Sequence, residues 1–192
     1  MNILLVGPQG SGKGTQAKRI ADEFGLAHIS TGEMLRHAIA AETPLGLAVK
    51  PIVEAGDLVP DELMIGLIRE RLDEDDTREG FILDGFPRTI PQAEALDAML
   101  GEIGRDLDIV FELQVPDEVS MERLAKRAVE EGRRDDTPEA IARRLAEYHD
   151  KTEPLVGYYR LRGNLVGVHG EKTIDEVFRE IQEALQTVAA RS

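Results

Sequence analysis

Residues 7–15 read GPQGSGKGT and directly follow the apolar run NILLV at residues 2–6. Glycine loses more conformational freedom on folding than any other residue, so four glycines in nine positions indicate a need for bare backbone. A strand, a glycine-rich turn and a helix beginning with Lys13 together form a phosphate-binding loop, because backbone N–H groups and the helix N-terminus attract anions. The stretch therefore predicts a nucleoside triphosphate site, and a tight turn with an exposed lysine is the alternative.

The match to the phosphate-loop pattern has one departure. The segment from Gly7 to Lys13 fits G-x-x-x-x-G-K, but the strict pattern then has Ser or Thr, and here Gly14 precedes Thr15. This departure affects metal binding, because the hydroxyl of that Ser or Thr normally contacts Mg²⁺.

Composition and charge limit the classes of partner. The chain has 192 residues, 42% of them hydrophobic, which predicts one domain with a sizeable core. The formal net charge of −14 argues against a nucleic acid or an anionic membrane as partner. An anionic ligand would need a local cationic pocket, because screening limits electrostatic attraction to ~8 Å at physiological salt.

Cysteine and histidine usage argues against a zinc site. The chain has no cysteine, and its four histidines, at positions 28, 37, 149 and 169, show no ligand spacing. The N-terminal apolar run lacks a basic region, and no segment approaches the ~18 residues that a membrane span needs. We expect a cytoplasmic protein without zinc, and a monomer, since no surplus apolar helix face stands out.

Short apolar runs alternate with helical patterns along the chain. Continuous apolar runs are typical of strands buried on both faces of a parallel sheet. We predict strands at Asn2–Val6, near Ala27–Ser30, and at Phe81–Asp84, Ile109–Val115 and Asn164–Val168. We predict helices at Lys13–Phe24, Glu33–Ala40, Leu45–Glu54, Asp61–Asp73, Ile90–Leu100, Asp117–Glu130, Pro138–Arg162 and Ile174–Ala189. The alternation predicts an α/β fold with a parallel sheet, helices around it and ligands at the carboxyl ends of the strands. Helical excursions at about 30–59 and 117–162 indicate small inserted lobes.

A second motif, FILDGFPRTIPQ at residues 81–92, follows an apolar strand. A carboxylate at the end of such a strand, here Asp84, is suited to hold Mg²⁺ through water, and a cap of the following turn is the alternative. Arg88 can bind a phosphate with two parallel hydrogen bonds, although alone it fits a surface salt bridge equally well. No N-K-x-D element is present for guanine, which disfavours a GTPase.

With these segments together, the chain resembles the adenylate kinases of the nucleoside monophosphate kinase family from end to end. The segments that carry the resemblance, in the family's order, are GPQGSGKGTQ, ISTGEMLR, AGDLVPDEL, GFILDGFPRTIPQA, GRRDD and YYRLRG. The family usually has proline at the position of Gln9 and often aspartate at that of Glu33. The resemblance implies a P-loop three-layer fold with a five-stranded parallel sheet, a core of 1–29, 60–125 and 138–192, an AMP-binding lobe at 30–59 and a short zinc-free lid at about 126–137.

The resemblance also implies functional residues. ATP would be held by Gly10, Ser11, Gly12, Lys13, Gly14, Thr15, Arg123, Arg127 and Lys172. AMP would be held by Thr31, Arg36, Asp57, Leu58, Val59, Gly85, Phe86, Pro87, Arg88, Gln92, Arg133 and Arg144, with Thr31 and Gln92 selecting the base. Mg²⁺, bound with ATP, would contact Thr15 and, through water, Asp84 and Glu33. The catalytic groups would be Lys13, Arg88, Arg123, Arg127, Arg133 and Arg144.

Not every charged residue near the lid is given a role. We expect Arg134 and Arg143 to make surface ion pairs, Arg143 with Glu139 at helical spacing. Asp135 and Asp136 would orient Arg133 or close the lid, and caps on solvated turns are the alternative.

The reaction implied is ATP + AMP = 2 ADP, with the nucleotides ATP, AMP and ADP as partners. The attacking oxygen belongs to a phosphate that is already largely ionised at neutral pH, so no general base is needed. Three other functions stay open: a UMP/CMP kinase, a small-molecule kinase with Asp84 as base, and a non-catalytic ATP-binding module.

Overall fold

A computed structural model describes residues 1–133 and 135–189 of the chain. The strands are β1 (Asn2–Val6), β2 (Ala27–Ser30), β3 (Phe81–Asp84), β4 (Ile109–Gln114) and β5 (Leu165–His169). The α-helices are α1 (Lys13–Phe24), α2 (Thr31–Ala40), α3 (Pro44–Ala55), α4 (Asp61–Leu72), α5 (Ile90–Glu102), α6 (Asp117–Glu130), α7 (Pro138–Glu147), α8 (Pro154–Arg162) and α9 (Ile174–Ala189). A short 3₁₀-helix spans Asp75–Thr77, and a π-helix spans Tyr148–Thr152.

The strands form one parallel sheet in the order β2-β3-β1-β4-β5. Because the strands are parallel, their carboxyl ends meet at one edge of the sheet, where Ser30 pairs in register with Asp84. The predicted α/β class with a five-stranded parallel sheet flanked by helices is confirmed.

Two hydrophobic cores lie on opposite faces of the sheet. Leu4 and Val6 of β1 pack with residues of α4, α5 and α8 on one face. Ile3 and Leu5, at the alternate positions, pack with α1 and α9 on the other face. Because β1 is buried on both faces, its sequence is apolar throughout instead of alternating with polar residues.

The prediction of one helix over residues 138–162 is wrong, because a π-helix separates α7 from α8. Pro154 has no N–H, and in a regular α-helix its ring would clash with the carbonyl of Asp150. The backbone widens instead, and the N–H of Glu153 donates to the carbonyl of Tyr148, five residues earlier, at 2.8 Å. The other predicted elements are present with bounds that differ by two residues or fewer.

The two helical excursions contact each other. Helices α2 and α3 follow β2 and precede α4 in the sequence, and they pack against each other. Helix α3 also packs against α7. Arg143 of α7 forms an ion pair with Asp57, so its expected pairing with Glu139 is replaced by a contact between the excursions. Arg134 lies outside the described residues.

None of the helices in residues 1–133 and 135–189 combines the length and the apolar character that a membrane span requires.

Candidate active site

A cleft of about 400 Å³ lies at the carboxyl edge of the sheet, a volume typical of small-molecule sites. The loops that follow β1 and β3 form its floor, and residues of α2, α3, α6 and α7 form its walls. Cationic side chains outnumber carboxylates in its lining, although the whole chain is strongly acidic. The cations are Lys13, Lys18, Arg36, Arg88, Arg123, Arg127, Arg133 and Arg144, and the carboxylates are Glu33, Asp57, Asp84, Glu131 and Asp135.

The glycine-rich loop runs from β1 to the N-terminus of α1. Gly10 has a φ of +80°, and a Cβ there would lie 2.7 Å from the carbonyl oxygen of Ser120 in α6. Only glycine therefore allows the loop to pack this closely against α6. Within the described residues no side chain caps α1, so its first N–H groups are available to an anion at the cleft.

Lys13 is held under this loop by the loop's own oxygens. Its Nζ donates to the carbonyl oxygens of Gly7 and Pro8, both at 2.7 Å. Burial lowers the pKa of Lys13 to about 8, with the charge of Asp84 opposing this shift and those of Arg88 and Arg127 adding to it. An anionic phosphate nearby would favour the charged amine and raise this pKa again.

If the phosphate loop holds ATP, as the sequence predicts, this low pKa means that ATP binding should weaken as the pH rises. At pH 7 most Lys13 is charged, whereas at pH 9 binding must first protonate it, so we expect the affinity for ATP to fall about tenfold between these values. Calorimetric titrations in buffers of different ionisation enthalpy should show proton uptake near pH 8.5, where the phosphates no longer titrate. Lys13→Met should abolish both the uptake and the pH dependence, and an unchanged uptake in that variant would contradict the assignment to Lys13.

The loop after β3 fixes Arg88 at the centre of the cleft. The Nε of Arg88 donates to the carbonyl of Gly85 at 2.8 Å. Gly85 has a φ of +90°, and a Cβ there would lie 2.5 Å from Oγ1 of Thr31, so α2 and this loop approach too closely for a side chain. Burial lowers the pKa of Arg88, and the like charges of Arg144 and Arg36 lower it further. These guanidinium groups are close enough to repel one another, which favours an anionic ligand between them.

Hydrogen bonds to both the oxygen and the nitrogen of the Gln92 amide fix its orientation. Its Oε1 accepts a hydrogen bond from the backbone N–H of Arg88 at 2.8 Å. Its Nε2 donates to Oδ1 of Asp61 at 2.8 Å, and Thr89 donates to the same oxygen at 3.0 Å. One N–H and one lone pair of the amide are left for a ligand. Thr31, the other expected base-selecting residue, is buried and lines the same cleft.

Arg127 and Arg144 share a buried carboxylate. The side chain of Asp136 is fully buried and accepts hydrogen bonds from Nε of Arg127 at 2.8 Å and from Nη1 of Arg144 at 2.5 Å. Burial raises the pKa of Asp136, but the two guanidinium groups lower it more, so the net shift is downward. Asp135 also binds Arg144, at 3.0 Å. The alternative of solvated caps is therefore wrong for Asp136.

Three further arginines line the cleft differently. Arg133 pairs with Glu131 at 2.6 Å, and not with Asp135 or Asp136 as expected. Arg123 donates to the carbonyl of Gly170 at 2.8 Å and so connects α6 to the loop after β5. Arg36 makes no hydrogen bond to another residue in the described part of the chain, which leaves its donors available to a ligand.

The expected metal contacts are oxygen atoms, as Mg²⁺ prefers. Asp84 reaches the cleft beside Gly14, where a Cβ would lie 3.5 Å from Oδ2 of Asp84. Glu33 pairs with Lys18 at 3.1 Å, and Thr15 lines the cleft. Residues 1–133 and 135–189 contain no group of three or more His, Asp or Glu side chains arranged to hold a metal. This donor set fits Mg²⁺ that arrives with phosphates and keeps its waters.

A few of the expected residues do not line the cleft. Ser11 and Phe86 are buried, with Phe86 in the core, and Pro87 lines a small recess behind the cleft. Lys172 pairs with Glu180 on the surface. The other expected residues line the cleft: Gly10, Gly12, Lys13, Gly14, Thr15, Thr31, Glu33, Arg36, Asp57, Leu58, Val59, Asp84, Gly85, Arg88, Gln92, Arg123, Arg127, Arg133 and Arg144.

The sequence analysis missed some residues of this site. Lys18 lines the cleft from α1. It lies five residues after Lys13, about 140° around the helix axis, so helical spacing gives no signal for its place in the site. Asp61 and Thr152 contact the segment from Arg88 to Gln92 from distant parts of the chain, and no local pattern indicates either contact.

Comparison with known proteins identifies relatives that match almost the whole length of the chain. The family model described as adenylate kinase matches residues 5–164. An adenylate kinase of Xanthomonas euvesicatoria pv. vesicatoria is 50% identical over 185 residues, which cover 96% of this chain and 99% of that protein. An adenylate kinase of Methylobacterium nodulans is 49% identical, with 99% of this chain and all of that protein covered.

Proposed function

The chain belongs to the adenylate kinase family, and from its site we infer that it catalyses the reversible reaction ATP + AMP = 2 ADP. The observation that carries this inference is a cleft in which the phosphate loop faces a group of arginines from the loop after β3 and from α2, α6 and α7. A kinase whose acceptor is itself a phosphate must bring two anions together, and this needs cations on both sides of the reacting centre.

The proposed roles are those that the resemblance implies, and the place of most of these residues in the cleft supports them. Residues 10–15 hold the ATP phosphates, with Lys13 supplying the full positive charge beneath them. Arg36 and Arg88 hold the AMP phosphate, while Gln92 and Thr31 read the adenine ring. Arg123 and Arg127 of α6, Arg133 of the loop after α6 and Arg144 of α7 would close over the phosphates and stabilise the charge of the transferring group. Lys172 would join the ATP site only after release from Glu180.

In this proposal, catalysis depends on the alignment of the two nucleotides and on stabilisation of the negative charge of the transferring phosphoryl group. The acceptor phosphate is ionised at neutral pH, so Asp84 has no proton to remove and is free to orient the water shell of Mg²⁺. Bound with ATP, Mg²⁺ neutralises charge on the phosphates. The arginines stabilise the equatorial oxygens in the transition state, an effect worth 10³–10⁵ in rate for a single arginine in comparable enzymes.

We propose that residues 30–59 form the AMP-binding lobe and residues 126–137 a short lid, moving against a core of 1–29, 60–125 and 138–192. Closure of both would exclude water, which competes with AMP as the acceptor. In this account the enzyme is a cytoplasmic monomer with free nucleotides as partners and no zinc in its lid.

The test is ADP formation from ATP and Mg²⁺, measured with and without AMP. We expect rapid ADP formation with AMP and almost none without it. Activity without AMP would indicate a hydrolase, and no activity in either assay would indicate a non-catalytic ATP-binding module. UMP and CMP replace AMP in parallel assays, and equal or better turnover of UMP would assign the chain to the UMP/CMP kinases instead.

A further inference from the structure

The π-helix between α7 and α8 contacts the backbone of Arg88. Oγ1 of Thr152, the last residue of the π-helix, donates to the carbonyl oxygen of Arg88 at 2.8 Å. Thr152 is 7% exposed and lies 64 positions after Arg88 in the sequence. The bond therefore connects the π-helix to the loop after β3, which carries Arg88.

Three hydrogen bonds together fix Arg88. Its N–H donates to Gln92, its Nε donates to Gly85, and its carbonyl accepts from Thr152, each at 2.8 Å. Gln92 and Gly85 belong to the same stretch of chain as Arg88, so they would move together with it. Asp61 of α4 holds the same stretch indirectly, through Gln92 and Thr89. Of the three bonds to Arg88 itself, the one from Thr152 comes directly from a separate element.

The π-helix explains how Thr152 reaches this place. In a regular α-helix, two residues eight positions apart differ by about 80° around the axis. A π-turn has more residues per turn, so it reduces the angle between Arg144 in α7 and Thr152. Both side chains line the recess behind the cleft together with Arg88. Pro154, which prevents a regular helix here, thus has a consequence inside the site.

We propose that Thr152 is a positioning residue for the transfer reaction, which it serves by holding the backbone of Arg88 in place. It acts through Arg88 and does not itself touch a nucleotide. The inference rests on the proposed function, in which Arg88 binds the AMP phosphate. An error of about 1 Å in the place of such a group can lower a rate by 10², so a single anchoring bond has a measurable effect.

The test compares two substitutions at Thr152 with a matched control. Thr152→Val keeps the shape of the side chain but removes the donor, whereas Thr152→Ser keeps the hydroxyl. Thr77 is the control because it too is a buried threonine that donates to a backbone carbonyl, that of Leu72 at 2.8 Å, and it does not line the cleft. Thr77→Val therefore removes the same kind of hydrogen bond at a position outside the cleft.

We expect Thr152→Val to lower kcat at least tenfold and to leave KM for ATP within twofold of wild type. Thr152→Ser should restore kcat to within threefold, and Thr77→Val should lower Tm without changing kcat. In an Arg88→Lys background, Thr152→Val should change kcat less than twofold, because the positioned group is already lost.

Several outcomes would overturn this inference. If Thr152→Val lowers Tm as Thr77→Val does but keeps the wild-type kcat, Thr152 is structural only. If Thr152→Ser is as impaired as Thr152→Val, or if Thr152→Val has its full effect in the Arg88→Lys background, the hydroxyl does not act through Arg88. Failure of the wild-type protein to form ADP would instead refute the proposed function, so the two failures are distinguishable.

Discussion

Replacement of Arg88 by lysine is expected to lower kcat by about 10²–10³, because lysine keeps the charge but loses the planar fork that binds phosphate with two parallel hydrogen bonds. The side chain is partly buried, its guanidinium group lies near the like charges of Arg144 and Arg36, and Gly85 holds it, so a shorter and more mobile amine will not take the same place. The loss of the hydrogen bond that Nε donates to the carbonyl of Gly85 costs roughly 1 kcal/mol, which shifts Tm by only about 2–4 °C in a chain of this size.

A matched control for this prediction is Arg69→Lys. Arg69 pairs with Glu102 on the surface, with both side chains more than half exposed, and the chemical change is identical. Steady-state kinetics on both variants, together with thermal melting, decides the matter. A large fall in Tm with normal kcat per folded molecule would make Arg88 a structural residue, contrary to its proposed role.

The second large effect is expected from Asp136→Asn. This substitution removes the negative charge that Arg127 and Arg144 share and leaves two guanidinium groups without their buried partner. Loss of one member of a buried ion pair commonly costs about 3–5 kcal/mol, so we expect Tm to fall by at least 6 °C. Thermal melting without ligand, in low salt, is the measurement.

Nucleotides should partly reverse this loss. Their phosphates bring negative charge to the same arginines, so an equilibrium mixture of ATP, ADP and AMP with Mg²⁺ should raise the Tm of Asp136→Asn more than that of wild type. Asp76→Asn is the control, because Asp76 also pairs with an arginine, at 2.7 Å, but with 55% of its side chain exposed. A surface pair contributes less than about 1 kcal/mol. Equal effects at the two positions would show that the burial of Asp136 has no importance.

The sheet and the phosphate loop can be predicted from the sequence because the signals for them are local in the chain. Apolar runs such as residues 2–6 and 81–84 record burial on both faces, and the glycines around Lys13 record close backbone contacts. Each of these signals lies within about ten residues of chain. The predicted bounds of α1, Lys13–Phe24, therefore agree with those of the structure.

The partners of the charged residues were not predictable in this way. Arg143 has a glutamate four positions earlier, yet it pairs with Asp57, which lies 86 positions away in sequence. The sequence predicts that Asp136 orients Arg133, closes the lid or caps a solvated turn, but the packing of α6 against α7 brings it to Arg127 and Arg144. The π-helix was hidden because Tyr148 to Thr152 suit an ordinary helix, and only Pro154 indicated a disturbance. Such choices depend on tertiary contacts, which local sequence patterns do not specify.

Asp135 and Asp136 are counter-ions that the chain itself supplies to the arginines of the cleft. These carboxylates already neutralise part of the charge of Arg127 and Arg144 and occupy some of their N–H donors, so we expect a singly charged ion such as chloride to gain little by binding there. A nucleotide brings several negative charges at once and has the advantage. We therefore expect the acidic pair to make these arginines favour ligands with several negative charges over simple monovalent salts.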